Sequence, residues 1–396
     1  MCQHKPHALP GCVSARCCVV VSFEIKVGWI HQLGAWETGC HAISYIYKSL
    51  QRLGRIATMH IPENYLSPST CGVLAASMVP VWVHATRRVR ETVPKDKMPL
   101  LGLAAAFSFL AMMFNVPIPG GTTGHAVCGT LIAILFGPWA ATIALSVALA
   151  LQAILFGDGG VLAIGANCFN MAFVLPMVGY GIYQLIARPK DGEAVPLSRE
   201  LVAAGVGSYV GINAAALCAA IEFGIQPLLF TDAAGRALYC PYPLWVSIPA
   251  MLAGHLTVFG AAEVVFTVGI LAYVRKAAPG FGIDLADAKV AQPEKAPKAM
   301  AILMAVLIVL TPLGLLAEGD AWGEWGAEDL ATMVGYTPQG MADGWEWSVL
   351  LPDYSLGSLP DWVGYILSAI IGAALLVIVF RILAGSAKQK VDFGTN

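Results

Sequence analysis

Two histidines stand where nitrogen donors can converge on one metal ion. His60 lies in Met59-His60-Ile61-Pro62, and His125 ends the run Pro117-Ile118-Pro119-Gly120-Gly121-Thr122-Thr123-Gly124-His125. In a polypeptide that starts at Met59, the free α-amine, the deprotonated amide nitrogen of His60 and His60 Nδ1 form a chelate of two fused small rings. His125 then supplies a fourth nitrogen. Four nitrogens in a plane suit Ni(II), Cu(II) or low-spin Co(II) better than tetrahedral Zn(II). The glycines and prolines ahead of His125 describe a fixed, irregular backbone. Membrane proteins tolerate such backbone only where protein buries it or it lines a cavity.

Other polar residues have two readings each. Thr123, Gln152, Asn167 and Asn170 either orient the ligands or make interhelical hydrogen bonds worth around a kcal/mol. Glu222, His255 and Glu263 fall at or within apolar runs, where ionisable residues are costly and often functional. His255 and Glu263 are about two helical turns apart and could share a face, as a structural pair or as a proton relay. Gly157-Asp158-Gly159-Gly160 reads as a short external turn rather than a phosphate loop. The cysteines show no CxxC or paired spacing that would suggest zinc or a disulfide framework. There is no Walker A sequence and no nucleophile–base constellation, so the chain is expected to hydrolyse nothing on its own.

The elements that must position these residues follow from composition. Of 396 residues, 57% are hydrophobic and 12% charged, with a net charge of −2. Average globular chains carry roughly 25% charged residues. The balance excludes an ordinary soluble enzyme and a nucleic-acid binder. The fold class is all-α, a polytopic transmembrane helical bundle with about seven spans plus a two-span C-terminal module. Apolar runs fall at 71–85, 98–118, 126–136, 138–156, 161–187, 201–230, 245–274, 299–316 and 363–384. Lys and Arg cluster after 85, after 187, after 274 and after 380, so the positive-inside rule puts Met59 outside and the C-terminus in the cytoplasm. That count requires 126–136 and 138–156 to cross separately, broken at Gly137-Pro138. The loop 317–362 carries nine acids and no Lys or Arg. Its Trp322, Trp325, Trp345, Trp347 and Trp362 are expected at the headgroup boundary. Residues 279–298 read as a charged cytoplasmic linker.

Residues 1–58 differ in kind. They hold Cys2, Cys12, Cys17, Cys18 and Cys40 and half the histidines, with no span-length run and no signal-peptide cleavage site. They are expected to be a mis-assigned or disordered extension, with the working chain starting at Met59.

Three segments in order carry a resemblance: MHIPENYLSPS from Met59, the GGTTGHAVCGT loop, and QAILFGDGGVLAIGANCFNMA over 152–172. Together they resemble the M component of cobalt/nickel energy-coupling factor transporters, the CbiM/NikM family, over about 59–278. The resemblance implies Met59, His60 and His125 as ligands of a transported Co(II) or Ni(II), with no prosthetic group. It also implies a transmembrane coupling subunit and cytoplasmic ATPases as partners in the cell (inner) membrane. Residues 299–396 resemble the PDGLE/CbiN-like partner module, which in the family assists metal loading or release; the PDGLE string itself is absent. Ala104-Ala105-Ala106 and Ala214–Ala216 are expected to pack against the coupling subunit. The rival readings are a proton-coupled secondary transporter using His255 and Glu263, and a metal sensor or chaperone that does not transport.

Overall fold

Backbone groups in a bilayer must be satisfied within the chain, so each apolar run closes on itself as a helix. The computed structural model describes residues 60–386 except 119–121, 190–194, 280, 285–288, 292–295, 318–319 and 358. Residues 1–58, the Met59 donor and the C-terminal segment 387–396 lie outside the described residues.

The order of elements is α1 Pro68–Thr92, α2 Met98–Met112, β1 Val116–Ile118, β2 Thr122–Gly124 and α3 Gly129–Phe136. There follow α4 Pro138–Phe156, α5 Ile164–Ile186, α6 Leu197–Leu229 and α7 Leu244–Ala277. The chain continues through β3 Gly282–Asp284, β4 Lys289–Ala291, α8 Ala296–Leu310, α9 Ala327–Val334, α10 Gln339–Ala342 and α11 Asp361–Ser386. Among the described residues six helical stretches, four of them α4 to α7, are long and apolar enough to cross a membrane; the others are Lys298–Leu316 and Asp361–Gly385. Helix α2 is apolar but shorter. The chain is a polytopic helical bundle.

The run expected to cross at 126–136 is built differently from a full-length helix. Its helix, α3, has eight residues, about 12 Å at 1.5 Å per residue. The stretch His125–Cys128 before it is irregular, with Cys128 in the left-handed region at φ 60°. Ser108 Oγ donates to the Val127 carbonyl at 2.6 Å. Glu263 Oε2 accepts from the Val127 and Cys128 N–H groups at 2.7 and 2.9 Å. Two buried side chains thus replace the bonds that a full helix would have made.

Small residues set the close contacts. A Cβ on Gly207 would stand 2.5 Å from the Gly179 carbonyl oxygen, and one on Gly211 would stand 2.7 Å from that of Leu175, so α5 and α6 meet backbone to backbone. Helix α11 also packs closely on α2, with Gly102 against Phe380 and the Val377 backbone, and Gly372 against the Phe109 ring. Ala104, Ala105, Ala106, Ala215 and Ala216 are buried within this chain. For Ala104–Ala106 the expectation that they face a coupling partner is corrected, since internal packing consumes them, while Ala215 and Ala216 line a cavity and Ala214 is half-buried.

The tryptophans divide as well. Trp345, Trp347 and Trp362 are exposed, whereas Trp325 is buried. Trp322 and Trp325 lie 5.2 and 5.6 Å from the Tyr242 ring, and Trp322 lies 6.2 Å from Phe223. Those two form a roof over the bundle instead of a headgroup layer. Within the expected linker, β3 and β4 pair as a small antiparallel ladder.

Candidate metal centre

His60 is fixed by the segment that follows it. The Asn167 side chain pairs with the Ile61 backbone like a strand neighbour, accepting from its N–H at 2.9 Å and donating to its carbonyl at 3.1 Å. Gly160 N–H donates to the same carbonyl at 2.9 Å. Glu63 accepts from the Val161 and Leu162 N–H groups at 2.6 and 3.2 Å. Segment 60–63 is therefore stitched to the turn 157–162. Ser67 caps α1 by accepting from Thr70 N–H.

His125 arrives from the other side, on the β1–β2 hairpin. Gly124, next to it, lies against the Phe259 ring, where a Cβ would come within 2.3 Å. The two imidazoles sit 5.3 Å apart between ring centroids, and both residues are only 2% exposed. His60 Nε2, both His125 nitrogens and the Thr123 hydroxyl are buried without a hydrogen-bond partner. An unsatisfied buried polar group costs about 1–3 kcal/mol. Four such atoms gathered at one spot describe a site completed by something bound. Burial pushes the His125 pKa down to about 3, with the neighbouring His60 adding to the shift, so its nitrogens stand ready as neutral donors.

The His60 ring is turned by a residue that the sequence reading passed over as a turn. Asp158 is 4% exposed, and its Oδ1 accepts from His60 Nδ1 at 2.6 Å. Metal-ligating histidines almost always give their other ring N–H to such a group. With Nδ1 held, Nε2 is the open donor. The chelate expected through Nδ1 is not the arrangement seen; it would require the ring to turn and present its other nitrogen to Asp158. Gln152 Nε2 donates to Asp158 Oδ2 at 3.2 Å.

Thr123 and Asn167 line one cavity with the two histidines, and Gln152 is linked to them only through Asp158. Asn170 lines the same cavity but donates to Glu222 at 2.8 Å. The pairing weighed for His255 and Glu263 is not found. His255 Nδ1 is bonded to the Met251 carbonyl at 2.8 Å, and Glu263 serves the backbone ahead of α3. The proton relay loses its basis.

A cavity of about 470 Å³ opens from the two histidines, walled by apolar side chains such as Met171, Ile212 and Phe223, with Trp322 in its lining. Among the described residues no cluster of three or more His, Cys, Asp or Glu side chains is placed to hold a metal.

Fold and site together define a multi-pass membrane protein of metal transport, with paired buried imidazoles at one end of a helical bundle. The model of the CbiM family, the cobalt uptake substrate-specific transmembrane region, matches residues 60–281, and that of the PDGLE domain matches 297–389. The fused nickel transport protein NikMN of Rhodobacter capsulatus is 48% identical over 345 residues, covering 83% of this chain and 97% of that protein. The "Probable fused nickel transport protein LarMN" of Lactiplantibacillus plantarum is 47% identical over 331 residues, covering 82% of this chain and 97% of that protein. A crystal structure of a truncated transition metal transporter aligns with a TM-score of 0.50 at 53% identity, over 55% of this chain and 99% of that one. The chain belongs to the CbiM family and carries a PDGLE domain in fusion.

Proposed function

We propose that this protein is the substrate-capturing membrane component of an energy-coupling factor importer, with Ni(II) as its cargo and Co(II) as the second candidate. One observation carries the reading: His60 and His125, far apart in sequence, meet as buried imidazoles with unpartnered nitrogens. Imidazole suits both metals. Nickel comes first because two relatives that match across the fused length are named as nickel transport proteins.

Main-chain nitrogens of Met59 and His60 complete the donor set in this proposal once the His60 ring turns to give Nδ1 to the metal and its other nitrogen to Asp158. The Met59 amine does so only in a chain that begins there. The metal-binding domain is 59–278, the linker 279–298 and the accessory module 299–396. The end bearing the histidines faces outward. A coupling subunit and separate ATPases in the cell membrane supply energy, and this chain is no enzyme.

The test is equilibrium dialysis of Ni(II) and Co(II) against the purified chain and His125→Ala. The variant is expected to insert normally and lose affinity by about 100-fold or more, a binding difference near 2.7 kcal/mol. Unchanged affinity and stoichiometry would remove the imidazole pair from the mechanism. Intact-mass analysis of protein made from the native gene tests the start at Met59. A dominant species retaining residues 1–58 rules out the amine donor.

A further inference from the structure

Tyr354 belongs to the segment matched by the PDGLE domain, yet its side chain ends inside the other module. It closes the tight turn Pro352–Tyr354, in which Asp353 and Tyr354 have φ of 51° and 60°. Residues other than glycine enter that region only against strain, and such strain gathers where a structure needs a side chain aimed. The turn is pinned from both sides. Leu351 N–H donates to the Leu155 carbonyl at 2.9 Å, and Ser368 Oγ donates to the Tyr354 carbonyl at 2.9 Å. The ring stacks on Phe156 at 4.8 Å and meets Phe109 and Tyr365 edge-on.

Phenylalanine would satisfy all of that packing. The hydroxyl needs its own explanation, and its partner supplies one. It donates to Asp158 Oδ2 at 2.5 Å and accepts from Gln152 Nε2 at 3.0 Å. Asp158 Oδ1 holds His60 Nδ1. An unbroken chain of hydrogen bonds thus runs from the C-terminal module through one carboxylate to the imidazole. Without the phenol, Oδ2 keeps only Gln152 at 3.2 Å, and the carboxylate is free to swing away from His60.

We propose that Tyr354 is a positioning residue for metal capture: acting through Asp158, it fixes the direction of the His60 imidazole. The accessory module then tunes the site without contributing a ligand. This rests on the reading of His60 and His125 as metal ligands.

The experiment measures Ni(II) affinity of the full chain in detergent, with Ni(II) alone as the probe, for the parent, Tyr354→Phe, Asp158→Asn and the double variant. Loss of such outer partners typically weakens metal binding roughly 10- to 100-fold. Tyr354→Phe is expected to weaken Ni(II) about tenfold while the absorption band of the bound metal stays in place, because no ligand is lost. In the Asp158→Asn background the same change is expected to add less than twofold, since the path to His60 is already cut. An affinity within twofold of the parent, a gain in affinity, or full additivity with Asp158→Asn overturns the proposal. If Tyr354→Phe does not fold, 4-fluorophenylalanine at 354 fills the hydroxyl's space without a proton to donate. A Kd within twofold of the parent then overturns the proposal, and a larger rise supports it. His125→Ala separates the two claims. Loss of Ni(II) there with a silent Tyr354→Phe refutes this inference alone, whereas intact binding there refutes the capture reading.

Discussion

Asp158 and His60 are 98 residues apart in the chain and 2.6 Å apart in the fold. The contact decides which imidazole nitrogen carries the proton. A carboxylate can only accept here, so Nδ1 holds the hydrogen and Nε2 keeps its lone pair toward His125. The Gly-Asp-Gly-Gly turn is therefore part of the site.

Acid is expected to destabilise the protein through two groups. Burial draws the Asp158 carboxyl upward, but the neighbouring His60 ring and the hydrogen bonds from His60 and Tyr354 outweigh it and hold the pKa below the usual 3.8. Such a depressed carboxylate stabilises the fold above its unfolded pKa, and the contribution is lost as pH falls through the folded one. His125 has a folded pKa of about 3 against 6.5 when free. The unfolded chain takes that proton first, so stability also declines from pH 6.5 down to 3. The thermal midpoint in detergent should hold above pH 7 and drop steadily below 6, and His125→Ala should flatten the upper part of that drop. A midpoint that rises on acidification contradicts both assignments.

Glu263→Ala should unfold at a markedly lower temperature. It leaves the Val127 and Cys128 N–H groups buried without an acceptor, at about 1–3 kcal/mol each. Glu263→Gln keeps a carbonyl oxygen in place and should recover most of the loss. Equal damage from both variants would mean that the charge, rather than the hydrogen bonds, matters. Scanning fluorimetry of both variants distinguishes the cases.

Topology offers a test on whole cells. Gly340 N–H bonds the Leu238 carbonyl at 2.7 Å, and Asn64 Nδ2 bonds the Trp345 carbonyl at 3.0 Å, so the acidic loop lies at the same end as the histidines. A reporter fused after Lys276 is expected in the cytoplasm and one placed at Gly340 outside. Finding Gly340 inside and Lys276 outside would show that α3 and its irregular approach do not cross.

Much of this was legible in the sequence. Long apolar runs gave helices because hydropathy and helix length are both local properties. The two histidines stood out because few polar residues interrupt such a chain. Asp158 was missed because its burial depends on segment 60–63, nearly a hundred residues earlier. Its glycines were the available signal. A Cβ on Gly159 would lie 2.8 Å from His60 Cβ, and one on Gly160 would lie 2.8 Å from the Glu63 backbone. An acid set among glycines that admit another strand so closely marks a meeting point rather than a loop tip. Tyr354 left no comparable trace, since its role exists only once α11 has docked on α2. Trp322 and Trp325 misled for the opposite reason: their ring chemistry suits a headgroup layer, but Tyr242 and Phe223 offered them a partner inside.

The half-length helix α3 has an electrostatic consequence for its cargo. A helix N-terminus carries roughly half a positive charge, and α3 begins only four residues beyond His125, directed at the site end of the bundle. Left bare, that end would repel an arriving dication in surroundings too apolar to screen it. Glu263, whose Oε2 accepts from the N–H groups just ahead of that start, offsets the repulsion from behind. The bundle can then place a helix start under a cation site, a position that proteins ordinarily give to anions.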